Sequence, residues 1–306
     1  MNTREIIAFL VMCIVWGAHF VVIKVAVGEI PPMFYAAARM TIVAIILLPF
    51  LRWRKGSMLR VFGAAACLGS LNYAFMFTGI SMGSASVSAI ALELYVPFAT
   101  ILSVLILKER IGLPRIFGIS MAFMGVAIVA LGDAKGGIGL GVLFIIGAAI
   151  VEAIGAILIK TIKTFKPYEL LAWFGLTGAV ILWAATGIFE TGQWQAFEAS
   201  KKTAVIAAVF YSALAASLFA HTVYYWLIQR LSVSMVAPSA LLSTMFAVVF
   251  SVIFLGDPVT LTLIIGGSLT FGGVGFVLFR SALKGKPNAA TGRQEPFIES
   301  PAEKDG

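Results

Sequence analysis

Charged side chains are scarce in this chain of 306 residues, in which Asp, Glu, Lys and Arg together make up 12%. Soluble domains carry about twice that share. Hydrophobic residues make up 60% of the chain, so a water-soluble fold could not cover its surface with polar groups. The composition excludes an ordinary soluble domain and predicts that lipid surrounds much of the protein.

Cysteine and histidine, the side chains of most metal sites, are also rare. Cys13 and Cys67 lie in apolar runs at no metal-binding spacing, which favours buried packing roles. No Walker A loop, H-E-x-x-H motif or G-x-S-x-G elbow occurs. We therefore predict no cofactor, no metal and no enzymatic activity. Two alternatives remain: a hydrolase that uses Ser217 with His221, one helical turn apart but without a third member, and a purely structural or receptor role.

Apolar runs long enough to cross a bilayer, which takes about 20 residues, occur ten times. They predict an all-α integral membrane protein with ten transmembrane helices. Their bounds are 6–24, 33–51, 59–79, 85–107, 113–132, 138–159, 168–189, 203–228, 234–255 and 260–280. The first run is too long for the apolar part of a signal peptide and lacks a small-x-small cleavage site, so we interpret it as a retained span. The polar segment 281–306 is predicted to be disordered.

The basic residues are distributed unevenly between the two ends of these spans. Seventeen of the 22 Lys and Arg residues lie on the side of the N-terminus, and Arg39 lies within a span. Four lie on the other side: Lys24, Lys135, Lys201 and Lys202. Cytoplasmic loops carry such an excess, so we predict that both termini are cytoplasmic. The same placement explains the net charge of +8 without a nucleic-acid partner.

Two apolar stretches of the chain are nearly the same. "IVWGAHFVVIK" at 14–24 corresponds to "IVEAIGAILIK" at 150–160, with Trp16 in one where the other has Glu152. Further matches follow at this offset of 136 and at an offset of 148: Pro31 with Pro167, Gly118 with Gly266, Gly125 with Gly273, and "LKE" at 107–109 with "LGD" at 255–257. We attribute the difference of 12 to an insertion in "TGQWQAFEASKK". The chain is thus predicted to be two five-helix repeats, 1–135 and 136–280.

An odd number of helices per repeat has a topological consequence. The second repeat begins on the opposite side of the membrane from the first, so the two are inverted relative to each other. Inverted repeats are typical of secondary transporters, in which the two halves surround a site near the middle of the bilayer. A symmetric bundle without transport is the alternative.

The opening of the chain resembles a known family. "VWGAHFVVIKVAVGEIPPMFYAAARM", followed by "VAIILLP", is similar to the start of EamA-type members of the drug/metabolite transporter superfamily, and closest to bacterial exporters of cysteine and O-acetylserine. The join "LILKERIGLPRIFGISMAFMGV" also fits that family. The second half departs from it at Asp257, where Glu is usual, and at Glu152. The resemblance implies ten helices as two inverted EamA repeats in the bacterial inner membrane, and export of small metabolites, often amino acids.

Two carboxylates are predicted within the apolar spans. An ionisable side chain at this depth costs about 2.5–3.5 kcal/mol on insertion scales, so each needs a partner or a wet cavity. Glu93 shares a helical face with Ser86, Ala89, Pro97 and Thr100, and Pro97 frees a backbone carbonyl that could bind substrate or water. Glu152 is surrounded by small residues that allow close helix approach. We interpret Trp16 and Glu152 as an inverted pair beside the central axis, one aromatic and one charged.

Three basic side chains are also predicted inside the spans. A free histidine titrates near neutrality, so His19 or His221 could carry a coupling proton or serve as a hydrogen-bonded structural group. Arg39 could bind a substrate carboxylate bidentately or pair with Glu93 as a fixed bridge. Because the resembled family has an arginine here across many substrates, the structural role is favoured.

Together these features predict a secondary transporter that exports small polar metabolites, amino acids or their derivatives, by alternating access around a midplane cavity. An exporter of lipophilic cations and drugs that uses the same carboxylates and aromatics is the alternative. The expected partners are a small-molecule substrate, the lipid bilayer and a coupling proton, for which Glu93 or Glu152 would be the titrating group. The predicted substrate-binding residues are Trp16, His19, Asn72, Tyr73, Glu93, Glu152, His221 and Tyr225.

Overall fold

Ten apolar helices, each long enough to cross a membrane, form the fold in a computed structural model that describes residues 1–108, 111–133, 139–162, 164–231, 233–236 and 238–284. We number them α1 to α10 in chain order. They are α1 (Thr3–Val27), α2 (Pro32–Phe50), α3 (Met58–Met82), α4 (Ala85–Ile106), α5 (Leu113–Gly132), α6 (Leu140–Lys160), α7 (Pro167–Phe189), α8 (Lys202–Tyr224), α9 (Pro238–Leu255) and α10 (Leu261–Phe279). The described residues contain no β-strand.

The predicted spans agree with these helices within a few residues at most ends. Short helices occupy two connections, Gln193–Ala199 before α8 and Val233–Val236 before α9. The helical segment that begins in α8 continues to Arg230, and that of α10 continues to Lys284. The last helix thus extends four residues into the segment predicted to be disordered, and the rest of that segment lies outside the described residues.

Several helices depart from regular α geometry along part of their length. Segments of π-helix, in which the hydrogen bonds reach one residue further along the chain, occur in three of them. They are Ala66–Leu71 in α3, Tyr211–Phe219 in α8 and Ser251–Leu255 in α9. The helix α4 is interrupted between its two parts, Ala85–Leu92 and Tyr95–Leu107. These irregular segments lie where the buried polar side chains are.

The two sets of five helices are not separate bodies. Helix α5 packs along α10, α2 along α7, α3 along α6, and α1 along α9. Small residues allow these close approaches. An added Cβ at Gly125 would lie only 2.5 Å from the carbonyl oxygen of Gly266, and one at Gly17 would lie 2.9 Å from that of Ser243. Each pair joins one helix of the first five to one of the last five.

Charged side chains form hydrogen bonds with backbone groups at the ends of neighbouring helices. Glu190 accepts from the backbone N–H of Met33 (2.8 Å) and of Phe34 (3.0 Å) at the start of α2. The Lys24 ammonium donates to carbonyls at the end of α3, including that of Gly83 at 2.7 Å. Such contacts satisfy backbone groups that a helix end leaves unpaired.

One such end contact joins α4 to the segment after α9. Asp257 Oδ2 accepts from the Ser86 backbone N–H at 2.9 Å and from Ser86 Oγ at 2.6 Å. The aspartate that departs from the resembled family's pattern thus caps a helix of the other repeat. Ser86, which the sequence placed on the same face as Glu93, is occupied by this contact.

Candidate functional site

Ionisable side chains lie well inside several helices. Arg39 and Glu93 follow the first residues of α2 and α4 by seven and eight positions, about 10 and 12 Å along each axis. Glu152 follows the start of α6 by twelve positions, about 18 Å. Arg39, Glu93, His19 and Asn72 are buried, and Glu152 is half-buried. We call these side chains and their partners the polar centre.

Arg39 is held by neutral groups. Its Nε and Nη2 atoms donate to Ser217 Oγ at 3.0 and 2.8 Å, and Nη2 also lies 3.3 Å from the Tyr73 hydroxyl, which accepts. The guanidinium carbon is 4.2 Å from the centre of the Tyr73 ring and 5.7 Å from that of Phe77. The bridge to Glu93 that the sequence left open is absent from the described contacts, because Glu93 bonds elsewhere.

His19 is connected to the same part of α8. Its Nε2 atom lies 2.9 Å from Ser212 Oγ, and Ser212 Oγ also contacts the Tyr35 hydroxyl. Tyr35 donates to the Ala208 carbonyl at 3.1 Å. The network links α1, α2 and α8, and it fixes the imidazole of His19 in one orientation.

Trp16 and His221 share one acceptor. The Trp16 indole N–H and His221 Nδ1 each donate to the Ala216 carbonyl, both at 3.1 Å. Ala216 lies five positions before His221, the spacing at which a π-helix brings residues together. The rings of Trp16 and His221 meet edge to face at 5.4 Å, and the Tyr224 ring is 5.6 Å from that of Trp16. An aromatic wall therefore borders the polar centre on the α1–α8 side.

Glu93 lies at the interruption of α4. The backbone there turns more tightly, and the Glu93 N–H donates to the Ile90 carbonyl at 3.2 Å. The sequence predicted that Pro97 frees a carbonyl for substrate or water. Pro97 has no N–H to donate to the Glu93 carbonyl one turn earlier. That carbonyl instead accepts from the Val96 N–H at 3.1 Å, so the prediction of a free carbonyl is wrong.

The Glu93 carboxylate has one strong partner. Thr244 Oγ1 on α9 donates to its Oε1 atom at 2.5 Å. The other oxygen, Oε2, is buried and makes no hydrogen bond with the described residues. One half of the carboxylate is thus fixed, and the other half has no hydrogen-bond partner among the described residues.

Glu152 lies on α6 against α3. Asn72 Nδ2 donates to Glu152 Oε2 at 3.2 Å and to the Ala148 carbonyl at 3.1 Å. Glu93 lies within electrostatic range of Glu152, and Tyr95 lies within range of both. The two carboxylates therefore belong to one site.

Trp16 and Glu152 occupy equivalent places in the two repeats. Trp16 contacts His221 on α8, and Glu152 contacts Asn72 on α3, next to Tyr73, which matches His221 at the offset of 148. Each stands against the corresponding helix of the other repeat. The residue pair that broke the sequence repeat thus gives one side of the centre an indole and the other a carboxylate.

Seven of the eight predicted site residues lie in this centre, and the side chain of Tyr225 lies outside the described residues. Sequence reasoning missed Ser212 and Thr244 as partners. The signal for Ser212 was its spacing of five from Ser217, which fits a π-helix. Among the described residues, no group of three His, Cys, Asp or Glu side chains could hold a metal ion.

Ten apolar helices in two inverted repeats, with charged side chains from both repeats at their centre, define an integral membrane transporter. The chain belongs to the EamA-like transporter family, which it matches twice, over residues 3–131 and 139–279. This confirms the predicted family and ten-helix fold. The protein is a transporter rather than an enzyme, and it is a multi-pass protein of the inner membrane.

Individual relatives agree with this assignment. Proteins of Salmonella typhimurium and Escherichia coli, each named a probable amino-acid metabolite efflux pump, are 24% identical over 283 residues, which are 90% of this chain and 94% of each relative. An uncharacterized transporter of Bacillus subtilis, YvbV, is 27% identical over 275 residues, 87% of this chain and 88% of that one. One crystal structure of a protein aligns with a TM-score of 0.60 at 17% identity, covering 94% of this chain and all of the other. That likeness concerns the fold alone.

Proposed function

We propose that this protein is a secondary transporter that exports small polar metabolites, amino acids or their derivatives, by alternating access around the polar centre. The names of the Salmonella and Escherichia relatives support efflux of amino-acid metabolites. The excess of basic residues on one side supports an orientation with both termini in the cytoplasm. Both proposals concern this chain and are open to direct test.

One observation carries the proposal: the polar side chains of the centre bond across the two repeats. Trp16, His19 and Arg39 bond to α8, Glu93 bonds to α9 through Thr244, and Glu152 bonds to α3 through Asn72. A displacement of the helices that carry them would break and remake these contacts. Alternating access requires a site whose hydrogen bonds depend on the relative position of the helices around it.

A transporter of lipophilic cations is the second candidate function. Trp16 and Tyr224 form an aromatic wall, and Tyr95 lies near both carboxylates. Aromatic faces and carboxylates together attract organic cations. This candidate predicts that a permanently charged cation without a carboxylate is exchanged better than any amino acid.

Proton coupling is proposed through the same carboxylates. Glu93 has one oxygen without a hydrogen bond among the described residues, and Glu152 is half-buried. Either can take up a proton when the site faces one side and release it on the other. His19 and His221 are the alternatives, although each is already hydrogen-bonded.

Counterflow in proteoliposomes tests these proposals. Purified protein would be loaded with unlabelled amino acids, O-acetyl-L-serine, tetraphenylphosphonium or nucleosides, and uptake of the labelled counterpart measured. We expect saturable exchange of amino acids, reduced about tenfold or more in Glu93→Gln and Glu152→Gln, because each loses a charge-assisted contact to substrate. Glu198→Gln is the matched control, since Glu198 is exposed and pairs with Lys202.

The possible results separate the candidates. Exchange of tetraphenylphosphonium without exchange of amino acids would favour the cation transporter. Exchange of amino acids at the parental rate in both carboxylate variants would show that Glu93 and Glu152 are packing groups. Absence of any exchange above empty liposomes would contradict the proposed function.

A further inference from the structure

Arg39 is a buried charge without an acidic partner. It is 2% exposed, and none of the described carboxylates bonds to it. Its partners are the hydroxyls of Ser217 and Tyr73 and two aromatic faces, all neutral. Buried arginines with purely structural roles are normally paired with a carboxylate, because an unpaired charge is costly in a low-dielectric interior.

The two carboxylates of the polar centre bond to groups other than this arginine. Glu93 bonds to Thr244, and Glu152 bonds to Asn72. Opposite charges in one polar centre would gain most by forming a direct ion pair. In this protein each charge instead has its own neutral partner, so the separation of the charges is a property of the site.

The guanidinium of Arg39 is fixed along one edge and unused along another. Its Nε and Nη2 atoms form a fork on Ser217 Oγ. Nη1 is buried and makes no hydrogen bond with the described residues. Beside it, the Tyr73 hydroxyl accepts from Nη2 at 3.3 Å, so its own proton remains available for donation. Nη1 and the Tyr73 hydroxyl are two adjacent donors, which suits the two oxygens of a carboxylate.

The positive and negative parts of the centre meet on α3. Tyr73 contacts Arg39, and the preceding residue, Asn72, contacts Glu152. Consecutive Cα atoms are about 3.8 Å apart, and their side chains point in different directions around a helix. A small molecule with one carboxylate and one ammonium carries the two charges that complement Arg39 and Glu152.

We infer that Arg39, with the Tyr73 hydroxyl, binds the carboxylate of a zwitterionic substrate whose ammonium is held by Glu93 and Glu152. This inference rests on the proposed function and narrows it: the cargo is an α-amino acid with a free carboxylate, and a lipophilic cation lacks the group that Arg39 binds. It replaces the structural role that the sequence favoured for Arg39.

The test compares acids with their amides. Thermal stability of the purified full-length protein in detergent would be measured with the 20 proteinogenic L-amino acids and O-acetyl-L-serine, each beside its carboxamide, and with tetraphenylphosphonium. We expect at least one acid to bind, and its amide to bind about tenfold or more weakly, because the amide loses the charge-assisted contact. In Arg39→Gln the acid and the amide should bind equally.

Further variants separate binding from folding. Ser217→Ala removes the fixed partner of Arg39 but keeps its charge, and it should keep the preference for acid. Arg39→Lys keeps the charge without the planar fork, and it should retain a smaller preference. If Arg39→Gln does not fold, the comparison of Arg39→Lys with the parent decides the question.

Several results would overturn the inference. One is equal binding of acid and amide by the parent protein, and another is an undiminished preference in a folded Arg39→Gln variant. A third is saturable binding of chloride, measured against gluconate, that removes the difference between acid and amide, since Arg39 would then hold an inorganic anion. Exchange of tetraphenylphosphonium alone would overturn the inference and leave a transporter, whereas a panel in which nothing binds or exchanges would contradict the proposed function as well.

Discussion

At the scale of single residues, the polar centre is built so that each charged group keeps part of its bonding capacity. Glu93 has Oε1 bonded to Thr244 and Oε2 without a described partner. Arg39 has one edge on Ser217 and Nη1 without a described partner. Neutral side chains fix the orientation of these groups without neutralising them, and the remaining atoms can therefore respond to a substrate.

The bond between Thr244 and Glu93 leads to a prediction about stability. Thr244→Val keeps the shape of the side chain but leaves Glu93 Oε1 without its donor, and we expect a loss of about 1–3 kcal/mol in the free energy of unfolding. Thr244→Ser should restore it. Reversible unfolding in mixed micelles measures the effect. Thr100→Val is the matched control, because the Thr100 hydroxyl bonds only to the Val96 carbonyl of its own helix. Equal losses in the two valine variants would contradict the prediction.

Ionisable side chains could be located from the sequence, but their partners could not. A charge inside an apolar run is conspicuous, which is why Glu93, Glu152 and Arg39 were identified. Hydroxyl side chains are not conspicuous in such runs, because many simply bond to the preceding turn of their own helix, as Thr100 does with Val96 and Thr270 with Gly266. Only the packing of α4 against α9 distinguishes Thr244 from these.

At the scale of helices, the irregular segments place the site. The π segments of α3 and α8 match each other in the two repeats, since Ala66–Leu71 at the offset of 148 falls within Tyr211–Phe219. The segment in α8 presents the Ala216 carbonyl to Trp16 and His221. The length and apolarity of the spans could be predicted, because a bilayer imposes both. The π geometry could not, since it depends on contacts between helices.

Close packing of α5 with α10 gives a prediction at this scale. Gly125 approaches α10 so closely that an added Cβ would lie 2.5 Å from the Gly266 carbonyl oxygen and from the Thr270 nitrogen, both backbone atoms that cannot move aside. Gly125→Leu should therefore prevent assembly of this pair, at a cost above the roughly 1–3 kcal/mol of ordinary overpacking. Gly187→Leu, where an added Cβ meets nothing within 4 Å, should be tolerated. The yield of monodisperse protein in size-exclusion chromatography compares them, and similar yields would contradict the packing argument.

At the scale of the whole molecule, the packing of the two repeats indicates which helices we expect to move together. In the structure α1 packs on α8 and α9, and α3 packs on α6, so helices of the two repeats are interleaved. Because packed helices move together more easily than they separate, a moving body must contain helices from both repeats. The contacts of α4 with α9 lie between two such groups, α1–α8–α9 and α3–α4–α6.

A covalent link across this boundary tests that arrangement. Ser86 and Asp257 join α4 to the end of α9, with the Ser86 nitrogen 2.9 Å from the carboxylate. In a background without Cys13 and Cys67, a disulfide in the variant Ser86→Cys/Asp257→Cys should abolish counterflow, because α4 and α9 could no longer separate at this end. A reductant should restore it, and the two single variants should exchange with or without oxidant. If the oxidised double variant, shown by mass spectrometry to be fully cross-linked, exchanges substrate as fast as the reduced protein, α4 and α9 stay together throughout transport, and the moving boundary must lie elsewhere.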